Sequence, residues 1–203
     1  MCVFGSDCFV FEDSGKTCTV NPFTEAIGAA NNVLICDIAV AYDCPLTHKT
    51  YILITRNSLY VPAMEHNLVP PFIMRMAGIT VNECPKYQCS DPSSDDHSLI
   101  FNHEDLKINL QLNGIFSYFH TRRPTDNEIQ GCEKVFLTPD SSFWNPYCTS
   151  FKANEREMTD YQGELTIKQR WENNPMFDVD GTASLVSELQ LRCHIDEVTS
   201  HSF

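Results

Sequence analysis

No apolar run in this 203-residue chain approaches the ~20 residues needed to cross a bilayer, which argues against a membrane-spanning helix. The opening stretch, MCVFGSDCFVFEDSG, has no basic n-region and carries acids instead, so it reads poorly as a secretory signal and a cytoplasmic location is expected. Basic residues are scarce as well. Lys and Arg total 14 against 27 Asp and Glu, a net charge of −13, which argues against a direct nucleic-acid surface. Arg122-Arg123 is the only concentrated basic feature, and two residues do not make a patch. Also missing are G-x-S-x-G, a phosphate-binding glycine loop and H-E-x-x-H, so none of those chemistries has a signature here. No two cysteines have C-x-x-C spacing, and no internal repeat or low-complexity run is visible.

What remains is an acidic chain with 42% hydrophobic residues, enough for a core, and a length that suits one domain of about 100–150 residues with a tail, or two very small domains. Its ten cysteines stand at Cys2, Cys8, Cys18, Cys36, Cys44, Cys84, Cys89, Cys132, Cys148 and Cys193. The even count would permit disulfides, but without a secretory signal reduced thiols are the expectation. Cys84-Pro85-Lys86-Tyr87-Gln88-Cys89 and Cys193-His194 come closest to ligand clusters. No second pair stands at a matching distance, which favours scattered structural thiols over a metal site.

The clearest local patterning runs from Thr50 to Val81. Tyr51–Thr55 is a β-branched and aromatic run that suits a buried strand, interrupted at Arg56-Asn57-Ser58, resumed at Leu59–Val61 and closed by Pro62. Asn67 is a candidate cap for a short helix with Pro70 and Pro71 in its first turn, Phe72, Ile73, Met74 and Met76 as its apolar face and Gly78 as its stop. Ile79–Val81 begins another strand. Upstream, residues 1–32 read as irregular, and Val33–Tyr42 reads as a strand that pairs with the Tyr51 run. Downstream, 82–96 is a polar loop and Ser98–Phe101 a short strand. Leu106, Ile108, Leu110 and Leu112 alternate into an Asn113-Gly114 hairpin turn, with Ile115–Phe119 returning. Thr125 and Glu128 form a capping box for a short helix, and Val135–Leu137 is one more apolar piece. Residues 139–203 are polar and acidic and read as a linker or poorly ordered tail, with a possible helix over 183–193.

Asp13-Ser14-Gly15 matches the D-[ST]-G triplet of aspartic proteases. That chemistry needs two facing carboxylates sharing one proton, so one triplet per chain requires a homodimer. Asp-Ser-Gly is also a common turn. Phe177-Asp178-Val179-Asp180-Gly181-Thr182 resembles the D-x-D-G-T nucleophile motif of haloacid-dehalogenase-type phosphatases. It lacks a preceding apolar strand and room for the remaining loops, and reads as an acidic turn. His66, His97, His103 and His120 are dispersed, and Asp95-Asp96 beside His97 would favour its charged form.

Ser58-Leu59-Tyr60-Val61-Pro62-Ala63-Met64-Glu65-His66-Asn67-Leu68-Val69 resembles the "LYVP…NL" signature downstream of the protease active site in copia-type retrotransposon polyproteins. AVAYDCP (39–45), TYILI (50–54), EHNLVPPFIMR (65–75), DHSLIF (96–101), LNGIFSYFHTRRPT (112–125) and CEKVFLTPD (132–140) extend the likeness over roughly residues 33–150, in the manner of protist and algal copia-like elements. The resemblance implies a mainly β fold with minor α, a retropepsin-like barrel over 33–138, complete or incomplete. It also implies dimeric aspartic proteolysis of the element's own polyprotein, without cofactor or metal. Asp13, Ser14 and Gly15 are the residues that can be matched to the catalytic triplet. Glu12 stands where an apolar residue is expected and Lys16 where a small one is expected. The expected identity is therefore a degenerate or truncated fragment of such a polyprotein, inactive alone. The alternatives are an active homodimer using Asp13 on a polyprotein peptide, and a Cys/His metal-binding module.

Overall fold

The computed structural model describes residues 1–21, 29–102, 105–140, 159 and 161–164. The chain divides into two compact units, Met1–Pro146 and Tyr147–Phe203. In the second, the described residues amount to Thr159 and a turn over 161–164. The tail, the helix expected over 183–193 and the Asp178–Thr182 motif lie outside the described residues or almost wholly so. Among the described residues no helix is long and apolar enough to cross a membrane.

The first unit is mainly β. Its largest sheet is built on β3 (Ala30–Asp43) and β4 (Thr50–Tyr60), an antiparallel pair in register from Leu34↔Tyr60 to Asp43↔Thr50. β2 (Phe9–Val20) pairs with the other edge of β3, while β1 (Val3–Phe4) and β10 (Glu133–Phe136) both run parallel to β4. β1 takes Leu59–Tyr60 and β10 takes Tyr51–Ile54, so the two short strands share one edge of β4. A second sheet orders β5 (Thr80–Asn82), β6 (Ser98–Phe101) and β7 (Leu106–Asn109). β8 (Gln111–Asn113) and β9 (Phe116–Tyr118) form a separate hairpin. Two one-and-a-half-turn helices, α1 (Pro71–Met76) and α2 (Asp126–Gly131), complete the unit. No closed barrel is formed among the described residues.

The Tyr51–Ile54 part of β4 is an unbroken apolar run because both of its faces are covered. Ile52 and Ile54 pack with Ala39 and Ala41 on one face, with Phe9, Ile129 and Cys132 against them. Val33, Ile35 and Leu59 form a second cluster near the other end, with Val3, Cys18, Val20 and Val61 around it. The polar interruption Arg56-Asn57-Ser58 does not end the strand. It is a β-bulge, in which Asp37 of β3 stands opposite Arg56 and Asn57. Asn57 adopts φ 50°, a left-handed conformation that Asn tolerates better than most residues, and its N–H donates to Asp37 Oδ1 at 2.9 Å.

Several local expectations are corrected. Val3–Phe4 and Phe9–Val20, expected within an irregular 1–32 segment, are instead β1 and the 12-residue β2 of the main sheet. Three register shifts and an exposed polar middle deprive β2 of the alternation that marks a strand. Asn67 does not cap α1. The cap position is Pro70, with Pro71 at the first helical residue, and Asn67 Oδ1 instead accepts the Gly5 N–H at 3.0 Å. The 106–112 run is two strands, broken where the Leu110 N–H turns to the His97 carbonyl at 2.8 Å. The β8–β9 turn is centred on Gly114-Ile115, one residue beyond the expected pair. The Thr125–Glu128 capping box forms as the spacing indicated, and Gly78 at φ 83° stops α1.

Three substitutions test this packing. Ile52→Ala or Ile54→Ala removes a fully buried side chain and is expected to lower unfolding stability by about 2–5 kcal/mol, read from urea denaturation. A Cβ at Gly5 would lie 2.0 Å from the Met64 carbonyl oxygen. Gly5→Ala is therefore expected to destabilise by about 1–3 kcal/mol, because β1 and the 64–67 segment must separate to admit one methyl group.

Candidate functional site

Asp13-Ser14-Gly15 lies in β2, an edge strand of the main sheet among the described residues. Asp13 pairs with Cys36 and Lys16 with Ile35, which leaves Ser14 and Gly15 as the extra residues of a bulge. Gly15 sits at φ 68°, a conformation that L side chains resist. The Gly15 N–H donates to Asp13 Oδ1 at 2.8 Å, closing an Asx turn. Ser14 Oγ donates to the Ile35 carbonyl and accepts the Lys16 N–H at 3.2 Å. All three residues are exposed. The triplet thus completes its own hydrogen bonding locally and presents its carboxylate to solvent rather than to an enclosed cleft.

A concavity lies elsewhere, between the main sheet, α1 and the second sheet. It is a cleft of about 150 Å³ whose apolar lining includes Phe4, Val40, Met74, Leu99, Leu110 and Leu137. That is well below the ~300–1,000 Å³ of ordinary small-molecule sites. Glu83 at its rim is paired with Arg75 at 2.5 Å. Ser117 also lines it, and its Oγ lies 2.9 Å from His97 Nε2. Nothing in the spacing of these two residues announces the contact, because β6, β7 and β8 intervene.

His97 is corrected in sign. Burial, followed by the nearby Lys86 charge, lowers its pKa, so the neutral ring is favoured despite Asp95 and Asp96. A nucleophilic serine needs its histidine oriented by a third group. Among the described residues no carboxylate is hydrogen-bonded to the His97 ring, and the Ser117 contact ties the entry of β6 to β9. His120 sits edge-on to Tyr118 at 5.3 Å rather than beside His97.

The thiols separate into two kinds. Cys2, Cys8 and Cys36 are buried, and burial pushes their thiols up to about 11, 11 and 12, so they stay protonated packing residues. Cys84 is exposed, and Cys89 is half-buried with its Sγ 3.5 Å from Cys84 Sγ. Among the described residues no group of three His, Cys, Asp or Glu is placed to hold a metal ion. Cys148 and Cys193-His194 lie outside the described residues.

Arg122 is committed to carboxylates. Its backbone bridges Ala41 of β3 in both directions, at 2.8 and 3.0 Å. Its guanidinium donates to both oxygens of Asp43, at 2.9 and 2.7 Å, and to both oxygens of Glu128, at 2.6 and 2.9 Å. Glu128 also accepts the Thr125 N–H at 2.8 Å. The guanidinium, then the Thr125 backbone, hold the Glu128 carboxyl down at about 2, and Arg122 likewise lowers Asp43. This pair of arginines therefore offers no anion site at Arg122.

No protein family, curated protein or solved structure gives a significant match to this chain.

The Arg122 network has a defined acid signature. Glu128 is depressed from an ordinary 4.5 to about 2, so its stabilising effect is fully present above about pH 4.5 and is lost as pH falls through about 2. The gap in urea midpoint between the parent chain and Glu128→Gln is expected to stay constant from pH 7 to 5 and to close between pH 4.5 and 2. The exposure of these groups keeps that gap small.

Proposed function

We propose that this chain is the protease-type β domain of a copia-like retrotransposon polyprotein, and that alone it is not proteolytic. The observation that carries the second statement is the Asp13-Ser14-Gly15 bulge. The Asp13 carboxylate is exposed on an edge strand and accepts the Gly15 backbone N–H. Aspartic proteolysis depends on two carboxylates close enough to share a proton in an enclosed site. Glu12 and Lys16 flank the bulge with charge on both sides.

The first statement is supported by the segment that carries the family resemblance. β4 ends at Tyr60, Pro62 follows, α1 starts on Pro71, and Gly78 turns the chain into β5. That order of elements suits a helix packed on a retropepsin-like sheet, here an open sheet. In this reading the domain's partners are its own polyprotein and, for any activity, a second carboxylate-bearing chain. The role left to it is to fold as a spacer or docking domain within the polyprotein.

The test is a cleavage assay on the purified full chain against peptides from its own polyprotein, between pH 4 and 7, with and without a hydroxyl-bearing transition-state isostere. No isostere-sensitive cleavage is expected. Asp13→Asn is expected to leave the melting temperature within about 2 °C, since Asn can accept the same N–H. Isostere-sensitive cleavage abolished by Asp13→Asn would instead establish the homodimeric enzyme. The genomic sequence around the open reading frame tests membership: in-frame integrase and reverse-transcriptase coding is expected downstream, and its absence there would remove the polyprotein assignment.

A further inference from the structure

We propose that Cys84 and Cys89 form a reversible dithiol–disulfide site on the loop between β5 and β6, oxidised by low-molecular-weight disulfides of the glutathione class. The proposal stands independently of the protease-type reading. Of the eight described cysteines, none is more exposed than this pair's Cys84, while Cys2, Cys8, Cys36 and Cys44 are buried. The two sulfurs are 3.5 Å apart, already in S–H···S contact. Closing to the ~2.05 Å of a disulfide moves each sulfur by less than about 1 Å.

The surrounding loop holds the two residues in this relation. Pro85 leads into a 3₁₀ turn over Lys86–Gln88, and the Cys89 N–H donates to the Lys86 carbonyl at 3.2 Å. Lys86 Nζ donates to the carbonyls of Ser93 and Ser94 at 2.9 and 3.2 Å. Asn82 Nδ2 ties the loop's start to the Asp95 carbonyl at 2.7 Å. Neither β5 nor β6 has to open for the bond to form. In the unfolded chain the same two thiols compete with every other cysteine, whereas the folded loop raises their effective concentration for each other.

The chemistry balances with one molecule of oxidant. Cys84, deprotonated, attacks one sulfur of glutathione disulfide, and a glutathione thiolate leaves and takes up the proton. Cys89, deprotonated in turn, attacks the Cys84 sulfur of the mixed disulfide, and the second glutathione leaves as a thiol. Two electrons pass from the protein dithiol to the oxidant. Cys89 is the resolving residue on two grounds. It is the less exposed of the two, and its hydrogen bond to Cys84 pushes its thiol up to about 11.

The sequence supplies a direct readout. Lys86 lies between the two cysteines, and Arg75 and Lys107 flank them, so unreduced tryptic digestion gives peptides 76–86 and 87–107, each with a single cysteine. The full chain is equilibrated in glutathione redox buffers at pH 8, acid-quenched, alkylated, digested and analysed by mass spectrometry. The two peptides are expected as one linked species, abolished by dithiothreitol and exceeding any other cysteine pairing by roughly tenfold. That excess is expected to collapse when oxidation is carried out in urea. In Cys84→Ser, Cys89 is expected to carry glutathione without any linked species. Free thiols at both positions across the same range, separate glutathione adducts without linkage, or equal linkage in urea would each overturn the proposal.

Discussion

The pairing of β3 with β4 is the constraint on which the rest of the first unit depends. β4 is hydrogen-bonded on both edges and buried on both faces over Tyr51–Thr55. A strand in that position cannot tolerate an unpaired backbone group or a lost methyl, because no water reaches it to compensate. Each remaining element of the main sheet is placed by what β3 and β4 leave open. β2 takes the outer edge of β3, and β1 and β10 divide the outer edge of β4. α2 lays Ile129 against the Ile52 and Ile54 face.

The polar groups around this core act mainly as fasteners between segments distant in sequence. Arg122 connects β3 to α2 through two carboxylates, and Arg56 reaches the Thr138 and Pro139 carbonyls while stacking over Phe136 at 3.8 Å. Asn67 holds β1 through Gly5, and His97 holds β9 through Ser117. Residues whose types belong to catalysis or anion binding are thus engaged in closing the fold. The Asp13 carboxylate belongs with them, since it holds a bulge in place. The Cys84–Cys89 pair differs in kind. Both sulfurs are near solvent, in contact with each other, and neither carries part of the core.

Much of the first unit was legible in the residues. Val33–Tyr42 and Tyr51–Thr55 announced themselves as strands because apolar β-branched runs have few other uses, and the Thr125–Glu128 capping box depends only on a three-residue spacing. Gly78 marks the end of α1 because its backbone preference is local, whereas the start expected after Asn67 falls short of Pro70, the cap residue of the structure. β2 is not legible in the sequence because an edge strand exposed on most of its length needs no hydrophobic alternation. The partner of Asn67 is not legible because a side-chain amide can satisfy a nearby helix or a distant glycine, and spacing alone does not distinguish them. The direction of the His97 shift is opposite to the one its sequence neighbours suggest, because adjacent acids are visible in sequence while burial is not.

The sequence by itself determined the class of the domain, the central hairpin, the two short helices and the acidic character that argues against a nucleic-acid surface. Those features follow from local propensity and from which segments have enough apolar surface to be buried. Only the tertiary structure decided that Asp13-Ser14-Gly15 is an edge-strand bulge, that Arg122 is held by two carboxylates and that Cys84 and Cys89 touch. Each of these depends on a distance or an exposure set by how separate segments fold back on one another, and a string of residue types carries no such distance.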